Sequence, residues 1–263
     1  MPEIQVSKEI TLHFEEHGKG FPLLLIHGLL SDLTSWKYQI APFSKRYHVI
    51  AIDLKGHGRS SKPTKEYRVA SHADDLYIML QDLDLNQVHL CGLSMGGMVA
   101  EVFALKYPSM VRGLVLADSA AMIADQYVSE RITLIGDHDM NWFADWGVKK
   151  ILRLATPEAV EHVREMIRRV NRKDYRLAVI STAGFNIAKQ ISAIQKPTLI
   201  IVGEKDETTP LWHAEQLKSW IPGSRLVVMK GASHMTPVEN PEEFNKLVLD
   251  FLAEVDATIG SKG

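Results

Sequence analysis

One serine in the 263-residue chain stands where a nucleophile could be exposed. Ser94 lies in the segment GLSMGG, between Gly92 and Gly96, directly after the apolar run VHLCG. In a G-x-S-x-G turn from a strand into a helix, the serine backbone is strained, and the glycines remove collisions with the neighbouring elements. Such a turn would hold the Ser94 hydroxyl exposed beside a helix N-terminus. The spacing therefore indicates nucleophilic catalysis by serine.

A serine hydroxyl needs a general base, and the base needs an acid that orients it. Two later segments supply these groups in the order serine, acid, histidine. The run PTLIIVG leads into EKDETTP, which contains Asp206, and the run RLVVMK leads into GASHMTPVENP, which contains His234. We therefore predict a catalytic set of Ser94 as nucleophile, His234 as general base and Asp206 as the orienting acid.

Other residues could fill the roles of acid and base. Asp118 also ends an apolar run and is the main alternative acid, ahead of Glu204 and Glu207. His213, on the helix that follows Asp206, is the alternative base near the expected site.

The run of residues 137–139, Asp-His-Asp, has side chains that could bind a metal ion. No second cluster in the chain has the spacing of metal ligands, so a solvated loop is the better interpretation of this run. We predict that the protein requires neither a metal nor a cofactor.

The candidate residues require a sheet that brings several strand ends to one edge. Short apolar runs bounded by turn residues predict strands, and amphipathic patterns predict helices between them. This alternation is typical of a parallel sheet covered on both faces, with its ligand site at the carboxyl edge. The predicted strands are 22–28, 48–53, 88–92, 113–118, 197–203 and 225–230, with an antiparallel entry near 3–7 and 10–16, and the predicted helices are about 34–45, 69–84, 95–107, 210–219 and 241–255.

The alternation is interrupted once, between Asp118 and Pro197, where only helical patterns occur. We predict a helical cap at 119–192, mounted on a core formed by 1–118 and 193–263. A basic run from Arg168 to Arg176 could attract an anionic substrate or form a solvated helix face. Apolar side chains could line a substrate pocket or simply pack in the core; they are Trp36, Met122, Tyr127, Met140, Trp142, Phe143, Trp146 and Phe185.

Composition argues against several classes of protein. Apolar residues make up 46% and charged residues 24%, and the net charge of −2 gives no indication of a nucleic-acid or membrane partner. The N-terminal segment lacks the apolar core of a secretory signal, and no apolar run reaches the roughly 20 residues of a membrane span. The single cysteine, Cys91, suits a reducing compartment. We expect a cytoplasmic protein.

Five segments in register resemble the α/β-hydrolase superfamily over nearly the whole chain: LLLIHG, DLKGHGRS, GLSMGG, PTLIIVGEKD and GASH. The resemblance implies an eight-stranded, mostly parallel sheet flanked by helices, with a helical cap inserted after the sixth strand. It also implies an oxyanion hole made by two backbone N–H groups. These belong to Met95, which follows the nucleophile, and Leu29, which follows His27 and Gly28.

Departures from the sequence patterns of related enzymes exclude several reactions from those that we expect. Ser94 stands where haloalkane dehalogenases and epoxide hydrolases carry aspartate, and HGLLSD lacks the glycine-rich loop of carbon–carbon hydrolases. The chain resembles serine carboxylesterases and 3-oxoadipate enol-lactonases most closely. We predict a serine hydrolase that cleaves carboxylic esters of small to medium apolar substrates. The alternatives are a lactonase, in particular a 3-oxoadipate enol-lactonase, and a ligand receptor with little turnover.

Overall fold

An eight-stranded sheet runs through the protein, whose residues 2–260 are described by a computed structural model, the last two by their backbone alone. Residue 1 and residues 261–263, which the core prediction includes, lie outside the described residues. The sheet order is β1-β2-β4-β3-β5-β6-β7-β8; β2 is antiparallel to β1 and β4, and the other pairs are parallel. The strands are Glu3–Gln5 (β1), Thr11–His17 (β2), Phe21–Ile26 (β3), Tyr47–Asp53 (β4), Val88–Leu93 (β5), Val111–Ala117 (β6), Thr198–Gly203 (β7) and Arg225–Met229 (β8).

The central strands are mostly apolar because both faces of the sheet are covered. In β3, Leu24 and Ile26 pack into the core on one face, and Leu23 and Leu25 pack into the core on the other. Parallel strands buried on both sides have this continuous apolar pattern rather than strict alternation. The predicted strands are confirmed, with bounds that shift by one or two residues.

Ten α-helices connect or flank the strands in the described part of the chain. They are Lys37–Phe43 (α1), Val69–Asp82 (α2), Met95–Lys106 (α3), Asp125–Asp137 (α4), Met140–Ile151 (α5), Pro157–Arg168 (α6), Arg172–Ser181 (α7), Leu211–Trp220 (α8), Thr236–Glu239 (α9) and Pro241–Gly260 (α10). The predicted helix at 34–45 begins as a 3-10 turn, Leu33–Trp36, before α1. Within the described residues, none of these helices is both long and apolar enough to cross a membrane.

The cap after the sixth strand consists of α4–α7, which lie between β6 and β7. Polar side chains begin three of these helices: Asp139, Thr156 and Asn171 each accept a hydrogen bond from a backbone N–H in the first turn. Asp139 is therefore a helix cap. No cluster of three or more potential metal-binding side chains occurs in the described residues. The insertion is confirmed, and its limits at 119 and 192 remain a prediction.

Candidate active site

Ser94 lies in the sharp turn between β5 and α3. Its backbone has φ 55° and ψ −119°, a strained conformation for a residue other than glycine. A Cβ atom at Gly92 would collide with the carbonyl oxygen of Gly96, and a Cβ at Gly96 would collide with that of Ile26. The Ser94 N–H donates to the Ala117 carbonyl at 2.8 Å. The two glycines therefore permit the close packing that holds this strained turn.

His234 bridges the serine and an acid, on loops that follow β8 and β7. The Nε2 atom of His234 lies 2.9 Å from the Ser94 Oγ, and its Nδ1 lies 2.8 Å from the Oδ2 of Asp206. With Nδ1–H donating to the carboxylate, Nε2 is free to accept the proton of the serine hydroxyl. The structure thus brings together the three residues predicted from the sequence in one hydrogen-bonded chain.

The electrostatics of the buried pair favour an ionised acid beside a basic imidazole. Burial alone would lower the pKa of His234, but the Asp206 carboxylate and its hydrogen bond outweigh burial and raise it. Burial likewise acts to raise the pKa of Asp206, but His234 and donors on Thr208 and Thr209 bring the pKa below its ordinary value. The Thr208 N–H donates to Asp206 at 2.7 Å and the Thr209 hydroxyl at 2.9 Å.

The alternative acid, Asp118, is fully buried next to this pair but does not hydrogen-bond to His234. Its carboxylate accepts from the Gly203 N–H at 3.0 Å and from the Thr236 N–H and hydroxyl at 3.0 and 2.8 Å. Burial and the Asp206 carboxylate raise the pKa of Asp118 to about 7. Asp118 therefore ties the end of β7 to the segment that follows His234.

Glu204, Glu207 and His213 make contacts away from the serine. Glu204 accepts from the Gly231 N–H, and Glu207 pairs with Arg153 on the surface. The ring of His213 stacks against Trp212 on α8. Burial lowers the pKa of His213 to about 4, so it is neutral near pH 7.

The two residues expected to supply the oxyanion donors, Leu29 and Met95, line one small cavity together with Ser94. Met95 is the first residue of α3, so its N–H has no partner within the helix. The loop that carries Leu29 is held by His27, whose Nε2 accepts from the Leu54 N–H at 3.1 Å and whose Nδ1–H donates to the Gly28 carbonyl at 2.8 Å.

A larger cavity of about 580 Å³, its mouth included, opens above Ser94 and His234. Of the apolar side chains predicted as pocket candidates, Tyr127 and Trp146 line it. Trp36 is fully buried against Phe244 instead. The lining residues are Gly28, Leu29, Leu30, Ser31, Leu93, Ser94, Tyr127, Arg131, Trp146, Gly147, Ile151, Met166, Tyr175, Thr208, His234 and Met235.

Sequence reasoning missed one charged lining residue, Arg131 on α4. A signal was available: the buried residues of α4 are Val128, Arg131 and Ile135, so the arginine occupies the apolar face of an amphipathic helix. Within the basic run that the sequence offers for substrate attraction, Arg168 instead pairs with Glu165 and other carboxylates at the surface.

Residues 22–241 match the model of the family described as having the alpha/beta hydrolase fold. Since the match covers most of the chain, the protein belongs to this family and is a hydrolase.

Three relatives are similar over nearly the whole chain. The 3-oxoadipate enol-lactonase 2 of Acinetobacter baylyi is 28% identical over 254 residues, covering 92% of this chain and 93% of the relative. Serine hydrolase BPHL of Mus musculus is 30% identical, covering 92% and 83%. The structure of a thermophilic esterase from Thermogutta terrifontis, solved with malate bound, is 31% identical with a TM-score of 0.87, covering 94% of both chains.

Proposed function

We propose that the protein is a serine hydrolase of carboxylic esters, with Ser94, His234 and Asp206 as its catalytic residues. The observation that carries this proposal is the continuous hydrogen-bonded chain from Ser94 Oγ through His234 to Asp206, with the serine on a strained turn. Serine is activated as a nucleophile by this combination of an adjacent base and an orienting acid.

The reaction proceeds through an acyl-enzyme. His234 Nε2 takes the Ser94 hydroxyl proton as Oγ attacks the ester carbonyl, and the N–H groups of Leu29 and Met95 stabilise the oxyanion. The tetrahedral intermediate collapses, and the leaving alcohol receives the proton from His234. A water molecule then gives a proton to His234 and attacks the acyl carbon, which releases the carboxylic acid and returns the proton to Ser94.

The cap supports a preference for apolar substrate groups. It contributes the aromatic side chains of Tyr127, Trp146 and Tyr175 to the cavity, and these can cover an apolar acyl or alcohol group. We propose that the cap, residues 119–192, sets the accepted chain length.

A lactonase is the second candidate, and its support is the similarity to the enol-lactonase of Acinetobacter baylyi. Opening a lactone uses the same attack on a carbonyl, but the leaving oxygen stays attached to the acyl-enzyme. A receptor would instead bind its ligand with negligible turnover. Assays of p-nitrophenyl esters and of simple enol-lactones with the intact protein separate the three functions. An esterase should prefer the esters, a lactonase should prefer the lactones, and a receptor should turn over neither.

The first test measures hydrolysis of p-nitrophenyl esters from acetate to decanoate by the intact protein and by the Ser94→Ala variant. We expect kcat to fall by about 10⁴-fold or more in the variant because the nucleophile is removed. Ser219→Ala, on the exposed surface of α8, is the matched control and should retain full activity. Activity that survives in Ser94→Ala would contradict the assignment of the nucleophile.

A further inference from the structure

Arg131 brings a positive charge into the cavity above Ser94. The residue is only 7% exposed, and arginine stays protonated in proteins. Its Nη2 lies 3.3 Å from the hydroxyl oxygen of Tyr127, and its guanidinium lies 4.4 Å from the centre of the Trp146 ring. Of the described residues that line the cavity, Arg131 alone carries a permanent charge.

No carboxylate in the described part of the chain forms an ion pair with Arg131. Four arginines of the cap have carboxylate partners, and all are more exposed: Arg153 pairs with Glu207, Arg164 with Asp145, Arg168 with Glu165 and Arg169 with Asp32. The best-buried of the cap's arginines therefore has no anionic partner among the described residues.

An unpaired buried charge is costly, so its surroundings must compensate for lost hydration. The rings of Tyr127 and Trp146 supply cation–π attraction, and the hydroxyl groups of Tyr127 and Tyr175 supply neutral acceptors. Neither hydroxyl brings the negative charge or the two coplanar oxygens of a carboxylate, which match a guanidinium. These contacts keep the charge in place and leave room for an anionic partner.

We propose that Arg131 binds a carboxylate of the substrate, and that the natural substrates are esters or lactones carrying a free carboxylate. The inference rests on the proposed ester hydrolysis and names its substrate class. The substrate's apolar chain would lie against the aromatic rings, with its scissile carbonyl at Ser94. A carboxylate is favoured over a phosphate ester's dianion because a single guanidinium neutralises one negative charge.

The kinetic test compares half-esters of dicarboxylic acids with neutral esters of equal length, such as monoethyl adipate with ethyl hexanoate. We expect the intact protein to prefer the half-ester. Arg131→Gln should lower kcat/KM for the half-ester by about 30-fold or more and change that for the neutral ester by less than about threefold. Arg131→Lys should restore part of the loss. In a series of half-esters from succinate to suberate, the chain length with the highest kcat/KM would give the distance between the bound carboxylate and the scissile carbonyl.

The matched control is Arg168→Gln, which removes the same charge from the surface of the cap and should leave both substrates unaffected. Thermal unfolding of each variant establishes that it is folded. Equal losses for half-ester and neutral ester in Arg131→Gln, or no preference for half-esters in the intact protein, would overturn the inference.

A binding measurement makes the test independent of turnover. Calorimetric titration should detect adipate binding to the intact protein at least about tenfold more tightly than its neutral diamide, adipamide, and Arg131→Gln should abolish the difference. Equal binding of the diacid and its diamide would also overturn the inference. If Arg131-dependent adipate binding occurs but no ester is turned over, the proposed hydrolysis fails and the carboxylate site stands. If Ser94-dependent hydrolysis of p-nitrophenyl acetate occurs but the protein shows no preference for adipate, the proposed hydrolysis stands and the carboxylate site fails.

Discussion

Asp206 and His234 stabilise each other's charge in a site from which water is largely excluded. The carboxylate also accepts from Thr208 and Thr209, which orient it toward His234 Nδ1. In the mechanism that we propose, Asp206 stays ionised, so His234 presents the Nε2 lone pair to the Ser94 hydroxyl and is stabilised when it takes the proton. The two residues thus act as one unit.

The pH dependence of hydrolysis reports on this pair. Only neutral His234 accepts the serine proton, so kcat/KM for a neutral ester should fall as the pH decreases through the His234 pKa. Since Asp206 raises that pKa, the acidic limb should lie above the ordinary value of 6.5. Asp206→Asn removes the charge, so the limb should move to lower pH, and kcat should drop by about 10⁴-fold.

A pH–rate profile of both proteins measures these effects. Asp139→Asn is a suitable control because Asp139 caps α5 through an oxygen that asparagine retains. An acidic limb that stays in place in Asp206→Asn would show that another carboxylate sets the pKa of the base.

Glu239 joins two elements that hold His234. One of its carboxylate oxygens, Oε1, accepts from the Ser233 N–H at 2.6 Å, in the loop that carries His234. The other, Oε2, accepts from the N–H groups of Arg153 and Leu154 at 2.5 and 2.9 Å, just beyond the end of α5. The short helix α9 therefore fastens the histidine loop to the cap.

Glu239→Gln should weaken this link, because the amide NH₂ of glutamine would face backbone N–H groups and cannot accept hydrogen bonds from them. We expect the free energy of unfolding to fall by about 1–3 kcal/mol. We also expect kcat to decrease more than KM increases, because His234 loses its support. Urea unfolding and ester kinetics measure the two effects, with Glu215→Gln on the exposed face of α8 as control. A variant as stable and active as the control would contradict this role.

Local patterns in the sequence were sufficient to predict the eight strands, five helices of the core and three residues that the structure joins in one hydrogen-bonded chain. Ser94, Asp206 and His234 each come shortly after a strand of the sheet, and parallel strand ends meet at one edge. Arg131 and Glu239 were missed because their roles depend on how the cap packs over the sheet. The position of Arg131 on the apolar face of α4 indicates that it is buried. No local sequence pattern indicates that α4 lies above Ser94.

The charges of the whole molecule are arranged to give little long-range steering. The net charge is −2, and the surface arginines of α6 pair with carboxylates of α5 and α6. The charge available to a substrate is instead the buried Arg131, which acts at short range and is poorly screened by salt.

Ionic strength should therefore have a small effect on selectivity. Between about 0.02 M and 0.5 M salt, we expect the ratio of kcat/KM for monoethyl adipate and ethyl hexanoate to change by less than about threefold. Initial rates at several salt concentrations give this ratio. A steep decrease for the half-ester alone, removed by Arg168→Gln, would instead support steering by the basic run.

The central claim, that Ser94 is the nucleophile of this hydrolase, is tested most directly by covalent labelling. Diethyl p-nitrophenyl phosphate should release one equivalent of p-nitrophenol and leave a diethylphosphoryl group on the attacking oxygen. Intact-mass measurement and peptide mapping should place that group on Ser94, with no label on Ser94→Ala. A label on another residue, or an esterase-active protein that takes up no label, would contradict the claim.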